Sequence, residues 1–268
     1  MDKQPLRQMK VAVSLFTGGG VKMKWTVLGC QSPFPAPGGA TPGYLLEAGG
    51  KKILIDCGSG VLSQLAKFLP LYEVDAVILS HLHHDHISDF FVLQYAIMIA
   101  MNQGMRNRPL PVWSPAQPDS WFRQLSYGRY IQRQAVKEGD MLKLGDVKIQ
   151  FFATDHPVPC YAMRIDSGGQ TILYGADSGP KTDWISMAAK PDLFVCEGSF
   201  LEAERPQNPV SHLSVKETAM AAKQIQAKQL LITHLSPLAE LSEVVREAAS
   251  VYPGLCHPAK PGLIIHLA

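Results

Sequence analysis

The chain has 268 residues, and because 46% of them are hydrophobic it can bury a sizeable core. Its 25 lysine and arginine residues nearly balance its 23 aspartate and glutamate residues, so the net charge gives no reason to expect a polyanionic partner. The five cysteines are odd in number, widely spaced and never arranged as C-x-x-C. This argues against a disulfide framework and a thiolate zinc site, and it favours a reducing cytoplasm.

The N-terminus resembles a signal peptide only superficially. Basic residues precede the apolar run 11–16, but that run is shorter than the roughly seven to fifteen residues of a secretory core. The longest later apolar stretch, 90–101, falls short of the roughly 18 to 20 residues that cross a bilayer. We therefore predict no membrane segment.

The first convincing strand pattern begins at Met23. We predict that residues 1–22 are an N-terminal extension and that residues 23–268 form a single domain. No linker or low-complexity run divides the remainder of the chain.

The first half contains short β-rich runs separated by turn residues. The predicted strands are 25–28, 44–47, 52–56 and 76–79. Helical spacing of apolar residues predicts helices over 61–68 and 89–102. Apolar residues surround the second of these helices almost completely, so we expect it to be buried between two layers.

The second half repeats this composition without repeating the sequence. Strands are predicted over 110–113, 147–152, 161–165, 171–174, 193–196 and 230–233, with helices over 117–126, 215–226 and 238–250. Ser214 is the expected N-cap of the second of these helices, with Glu217 at the capping-box position. Two β-rich parts that each carry helices predict an α+β fold, a four-layer αββα sandwich with two sheets face to face.

A cluster of histidines follows the predicted strand 76–79. In the run His81-Leu82-His83-His84-Asp85-His86, the first and third residues share a face of an extended segment and can hold one cation together. Asp85 and His86, past the bend, can turn toward a second cation, as two-metal hydrolytic sites require. We assign His84 to solvent or to contacts outside the metal shell. The spacing predicts a two-metal centre.

These residues resemble H-x-H-x-D-H, the signature of the metallo-β-lactamase fold superfamily, and three further positions match in order. His156, Asp177 and His234 each follow a predicted strand, as the later ligands of that family do. The resemblance implies that His81, His83 and His156 bind one metal, that Asp85, His86 and His234 bind the other, and that Asp177 bridges them. Imidazole and carboxylate ligands suit zinc, and manganese or iron are alternatives.

Within that superfamily, the chain is most similar to the ribonuclease Z branch and its smaller phosphodiesterase relatives. Cys196-Glu197-Gly198-Ser199 resembles the H-E-A-T segment of that branch, and Ser211-His212-Leu213-Ser214 resembles its H-S-T segment. The resemblance implies that Glu197 orients His212, which protonates the leaving alkoxide. Asp177 follows His156 by only 21 positions, where ribonuclease Z inserts a long arm that grips transfer RNA. This short interval argues against transfer RNA as the substrate.

The leading prediction is a phosphodiesterase that uses a hydroxide shared by two divalent metal ions, with Asp85, Glu197 and His212 as catalytic residues. The substrate class is a small-molecule or short nucleotide phosphodiester. Hydrolysis of a carboxylic ester, thioester or lactone at the same centre remains an alternative, as does a catalytically silent scaffold or RNA-binding subunit. The resemblance also implies a homodimer, because relatives are often dimers.

Overall fold

The computed structural model describes residues 22–208 and 210–268. Fourteen strands in this part of the chain form two seven-stranded sheets. The first sheet contains, from edge to edge, β14 (Ile264–Leu267), β1 (Met23–Gly29), β2 (Gly43–Ala48), β3 (Lys51–Ile55), β4 (Ala76–Ile78), β5 (Leu110–Ser114) and β6 (Ile131–Ala135). The second contains β13 (Leu255–Pro258), β12 (Gln229–Thr233), β11 (Leu193–Glu197), β10 (Gln170–Tyr174), β9 (Tyr161–Ser167), β8 (Val147–Ala153) and β7 (Met141–Leu144).

The helices lie on the outer faces of the two sheets. They are α1 (Val61–Leu65), α2 (His84–Ile87), α3 (Phe90–Asn102), α4 (Asp119–Gln124), α5 (Trp184–Met187), α6 (Val215–Gln224) and α7 (Leu241–Ala249), with short 3₁₀ helices at Leu71–Glu73 and Glu202–Glu204. No helix among the described residues is long and apolar enough to cross a membrane.

Three apolar clusters confirm the four-layer αββα prediction. The central cluster lies between the sheets, where the rings of Trp25 and Tyr44 in the first sheet lie 5.9 and 5.3 Å from the Tyr174 ring in the second, measured between centroids. A second cluster packs α1 and α3 against the first sheet, and a third packs α5, α6 and α7 against the second. Burial of these side chains is the main force that holds the layers together.

Both sheets have the same arrangement of antiparallel and parallel strand pairs, and this arrangement positions the candidate site. Strands β14, β1, β2 and β3 pair antiparallel and β3, β4, β5 and β6 pair parallel. In the second sheet β7 to β10 pair antiparallel and β10 to β13 pair parallel. Because parallel strands end at a common edge, the residues that follow β3, β4, β10, β11 and β12 can converge.

The predicted elements are present, the helices with shorter ends and most of the strands with longer ones, and the capping box at Ser214 and Glu217 is confirmed. Helix α1 ends at Leu65, and α4 and α7 are likewise shorter than their predicted ranges. The sequence patterns missed four strands, β6, β7, β13 and β14, and the short helices α2 and α5. Strand β6 reads Ile-Gln-Arg-Gln-Ala and lies at a sheet edge, so it lacks the apolar alternation of a half-buried strand.

The expectation that the second predicted helix is buried between two layers is wrong. One face of α3 packs on the first sheet through residues such as Leu93 and Ile97. The opposite face is open, and Val92, Tyr95 and Ile99 are 58%, 53% and 48% exposed. The sequence places apolar residues on every side of α3, which indicates that burial of each face is favourable. It does not show whether another part of the same chain covers the open face.

Strand β14 also departs from a simple division into halves. It pairs with β1, so the C-terminal strand completes the first sheet. The predicted N-terminal extension lies outside the described residues except for Lys22, whose backbone N–H donates to the Leu267 carbonyl at 2.9 Å. The end of β14 therefore pairs with the start of β1.

Candidate metal centre

The predicted site residues gather at the edge where the parallel strands of both sheets end. Three backbone positions at this edge, Asp56, Ala176 and His234, have positive φ angles of 54°, 52° and 55°. This left-handed conformation is uncommon for residues other than glycine and clusters at functional sites. It turns the chain sharply after β3, β10 and β12, so that side chains from both sheets face one another.

The histidine run begins in extended backbone and continues in a short helix. His83 has φ −72° and ψ 151°, and α2 begins at the next residue. The predicted bend after His83 is therefore the first turn of a helix, and it carries Asp85 and His86 toward the same centre. His84 turns away, is exposed, and packs edge-on against Trp121 with ring centroids 4.8 Å apart.

The first cluster consists of His81, His83, His156 and Asp177, whose ligand atoms all lie within 4.8 Å of one another. His83 Nδ1 lies 3.0 Å from His81 Nε2 and 3.1 Å from His156 Nε2. Asp177 Oδ2 lies 3.5 Å from His81 Nε2 and 3.9 Å from His156 Nε2.

The second cluster consists of Asp85, His86 and His234, with the other oxygen of Asp177 facing it. Asp177 Oδ1 lies 3.2 Å from His86 Nε2 and 3.3 Å from His234 Nε2. Asp85 Oδ2 lies 3.8 Å and 3.5 Å from the same two nitrogens. Asp177 therefore presents one carboxylate oxygen to each cluster.

Both clusters have the dimensions of a metal site. Four ligands at about 2.0 to 2.1 Å from a tetrahedral zinc ion lie about 3.3 Å from one another, close to the separations found here. His86 Nε2, Asp177 Oδ1 and His234 Nε2 are buried, and no hydrogen-bond partner reaches them from the described part of the chain. Buried polar atoms without partners are costly, so this donor set fits divalent cations.

The electrostatics of the first cluster also suit a cation. Burial lowers the pKa of His81, His83 and His156, which keeps these imidazoles neutral and able to donate a lone pair. Burial opposes ionisation of Asp177, but His234 and His86 outweigh it and hold the pKa of Asp177 well below its usual range. The Asp177 carboxylate, which faces both clusters, is thus negatively charged.

Asp56 also belongs to the site, although the sequence patterns did not predict it. It is fully buried and accepts hydrogen bonds from the Ser80 backbone N–H (2.7 Å), the Ser80 hydroxyl (2.9 Å), His86 Nδ1 (2.9 Å) and the Tyr174 hydroxyl (2.5 Å). Because Nδ1 of His86 donates to Asp56, Nε2 is left to face the second cluster. The sequence did contain a signal for this residue, since Asp56 directly follows the apolar run of β3.

Three serines form hydrogen bonds with other members of the clusters, and the sequence patterns did not predict these contacts either. Ser80 Oγ lies 3.0 Å from His81 Nδ1, and Ser32 Oγ donates to Asp85 Oδ2 at 3.0 Å. Ser199 Oγ lies 2.9 Å from His234 Nδ1 and donates to Glu197 Oε2 at 2.6 Å. Serine is too common for its sequence position to indicate such a role.

Glu197 and His212 form the pair that the sequence predicted. His212 Nδ1 lies 3.0 and 3.1 Å from the two carboxylate oxygens of fully buried Glu197, and its ring stacks on that of His234 at 5.3 Å. Burial lowers the pKa of His212, but its hydrogen bond to Glu197 and the charge of that carboxylate outweigh this effect and raise it to about 9. The imidazole therefore carries a proton beside both clusters.

Comparison with known proteins places these residues in a family context. The family model described as the beta-lactamase superfamily domain matches residues 51–235, a range that contains every member of both clusters. The probable metallo-hydrolase YhfI of Bacillus subtilis is 37% identical over 242 residues, which cover 90% of this chain and 99% of YhfI. The crystal structure of YhfI, described as a metallo-beta-lactamase fold protein, superposes with a TM-score of 0.88 over 91% of this chain and 99% of that one.

Two more distant similarities extend the comparison. Ribonuclease Z of Clostridium kluyveri is 24% identical over 285 residues, covering 84% of this chain and 92% of that enzyme. The crystal structure of a diphosphatase of the PhnP family superposes with a TM-score of 0.71 at 18% identity, covering 92% of this chain and 98% of that one, and at this identity the likeness shows the fold alone.

Proposed function

The chain belongs to the β-lactamase superfamily, among its ribonuclease Z-like metallo-hydrolases, and from this premise we propose that it hydrolyses phosphodiesters with two divalent metal ions. The family supports a metal-dependent hydrolase, and the histidine and aspartate clusters support divalent metal binding. The choice of phosphodiesters rests on one further observation, the buried Glu197 carboxylate that holds a protonated His212 beside the clusters.

We assign His81, His83 and His156 to one cation, Asp85, His86 and His234 to the other, and Asp177 to both. The distances between their ligand atoms and the orientation of the Asp177 oxygens support this assignment. Zinc is the metal we favour, because imidazole and carboxylate ligands at tetrahedral spacing suit it; manganese and iron accept the same ligands.

Bound divalent cations would lower the pKa of water to about 7 and offset negative charge on the phosphoryl oxygens. Side chains of the protein orient the water and supply the proton for the leaving group. Asp85 orients the attacking water by accepting a hydrogen bond from it, and the proton that the water loses passes to solvent. As the new bond from that oxygen to phosphorus forms and the bond to the leaving oxygen breaks, His212 donates its Nε2 proton to the leaving oxygen. Nε2 is available because Nδ1 is bound to Glu197.

The proton-donor role makes a prediction about leaving groups. His212→Ala should slow hydrolysis of a phosphodiester with an alkyl leaving group by roughly 10² to 10⁴-fold, because an alkoxide is a poor leaving group without a proton. An aryl phosphodiester whose leaving phenol is acidic should lose far less. His266→Ala, which removes an exposed histidine on β14, is the matched control. Equal losses on both substrates would contradict the role.

The same experiment separates the alternative reaction. Hydrolysis of a lactone, thioester or carboxylic ester needs no His212 in our scheme. If metal-loaded protein cleaves a simple lactone, leaves phosphodiesters intact, and is unaffected by His212→Ala, the centre serves acyl chemistry instead. The predicted scaffold role would be favoured only if the metal-loaded protein hydrolysed neither class.

We infer that the substrate is a small-molecule or short nucleotide phosphodiester. The interval from His156 to Asp177 holds only the hairpin of β9 and β10, whose turn consists of Gly168 and Gly169. This hairpin leaves no room for an arm of the kind that grips transfer RNA. The cytoplasm is the compartment we favour, because all five cysteines are free and four of them are buried.

We also infer a homodimer, formed through the open face of α3. Val92, Tyr95 and Ile99 follow one another at the spacing of a helix-packing seam, and about half of each residue's surface is exposed. Helix α3 contains no charged residue, so a two-fold axis could bring two copies of this face together without like-charge repulsion.

Light scattering of the full chain tests the dimer. Ile99→Glu should halve the measured mass, because it buries a carboxylate at the interface. Met220→Glu is the control, since Met220 is 54% exposed on α6, away from this face. A monomeric wild-type protein, or a dimer that tolerates Ile99→Glu, would contradict the inference.

A further inference from the structure

Two loops lie side by side next to the candidate metal centre, and we call them the mouth loops. They are residues 31–41, between β1 and β2, and residues 235–239, between β12 and α7. The backbone N–H of Ser32 donates to the Leu235 carbonyl at 3.0 Å, which joins the loops. The Ser32 hydroxyl donates to Asp85 Oδ2 at 3.0 Å, so the loops reach the second cluster directly.

Each mouth loop presents a large apolar side chain to solvent. Phe34 is 57% exposed and Leu238 is 85% exposed. The loop that carries Phe34 is held in place, because the Ala36 N–H donates to Gln31 Oε1 at 2.9 Å and prolines at 33, 35 and 37 restrict its backbone. An exposed aromatic ring on a restrained loop can bind a ligand with little loss of conformational entropy.

The mouth loops are also uncharged. Neither range contains an aspartate, glutamate, lysine or arginine. A site that follows the backbone of a nucleic acid needs lysine or arginine to neutralise successive phosphates. These loops therefore suit an uncharged, apolar part of a substrate rather than further phosphate groups.

The position of Phe34 indicates which part of the substrate it meets. In an in-line displacement the leaving oxygen departs on the side opposite the attacking water. Asp85 orients the water in our scheme, and His212, between His156 and His234 with ring centroids 5.6 and 5.3 Å away, receives the leaving group. The loop that carries Phe34 joins the centre at Asp85, so we place Phe34 on the side of the attacking water, beside the ester group that stays on the product.

We propose that the mouth loops form a subsite for a planar aromatic group on the retained side of the phosphodiester, with Phe34 stacking on the ring and Leu238 packing against it. This inference rests on the proposed function and names its substrate class. Phe34 lies two residues beyond Ser32, at most about 7 Å along the chain, a reach that matches a nucleoside base or an aryl ester. Stacking of a base on an aromatic side chain is worth about fivefold to 150-fold in binding.

The test uses three phosphodiesters with the same 4-nitrophenolate leaving group and a different retained group, namely methyl, phenyl or 5′-thymidyl. The metal-loaded wild type should prefer a ring-bearing ester, and Phe34→Ala should lower kcat/KM for that ester about tenfold or more while leaving the methyl ester within twofold. Leu238→Ala should act in the same direction. Phe34→Tyr should restore the preference. Loss confined to the thymidyl ester identifies a nucleoside substrate, and loss on the phenyl ester as well identifies an aryl group.

A binding measurement separates this inference from the reaction itself. Calorimetric titration of the metal-loaded protein with thymidine 5′-phosphate, phenyl phosphate and methyl phosphate measures the retained group without catalysis. Tighter binding of a ring-bearing product that Phe34→Ala abolishes would support the subsite even if no phosphodiester were hydrolysed. Equal affinities, or equal losses of kcat/KM on all three esters, would overturn it. Phe68→Ala removes a 38% exposed ring after α1 and controls for loss of apolar surface.

Discussion

The two ligand clusters differ in how many of their side chains form hydrogen bonds with side chains outside the clusters. In the second cluster every member bonds to a side chain outside the clusters: His86 to Asp56, His234 to Ser199 and Asp85 to Ser32. In the first cluster His81 bonds to Ser80, whereas His83 and His156 bond to no side chain outside it among the described residues. Ligands held by such contacts are pre-organised, so the second cluster should bind its cation more tightly.

Replacing Asp177, which faces both clusters, should have the largest effect of the changes considered. It should also abolish the difference in cation affinity between the two clusters. Asp177→Asn keeps the shape but removes the charge that faces both clusters. We expect less than one metal ion per chain by elemental analysis and at least a 10³-fold loss of hydrolysis, since both cations lose a ligand. Asp146→Asn, at an exposed site beside β8, is the control. Retention of two ions per chain would show that Asp177 does not bridge them.

Stepwise metal removal should show the difference directly. As a competing chelator is added, we expect a plateau at one metal ion per chain, because the more weakly held first-cluster ion leaves before the other. His83→Ala should remove that first step and leave the plateau, whereas His234→Ala should remove the plateau. Elemental analysis after each chelator concentration measures the steps. Loss of both ions in one step would argue against unequal clusters.

Ser199→Ala should have the smallest of these effects. It removes the hydroxyl that lies between His234 and Glu197, so we expect a 10-fold to 100-fold weaker affinity for one of the two ions and a smaller change in the other. Ser250→Ala, at an exposed hydroxyl after α7, is the matched control. A competitive chelator titration with both variants measures the two affinities. Unchanged affinity would mean that Ser199 does not position His234.

The open face of α3 shows where sequence patterns stop. They predicted the helix, because apolar residues recur along it, and they predicted the sandwich, because β-rich runs alternate with helices. They could not predict that one face of α3 is exposed, since an apolar face indicates that burial is favourable without identifying the partner that covers it. The edge strands β6 and β7 escaped prediction because one side of an edge strand faces water and tolerates polar residues.

The sequence by itself determined which side chains are candidates for the metal centre, because H-x-H-x-D-H is a local pattern and His156, Asp177 and His234 follow it in order. Only the tertiary structure decided what holds them. The contacts of Ser32 to Asp85, Ser199 to His234 and Asp56 to His86 join residues 53, 35 and 30 positions apart. Such contacts arise when the parallel strands of two sheets end at one edge, and local spacing carries no information about them.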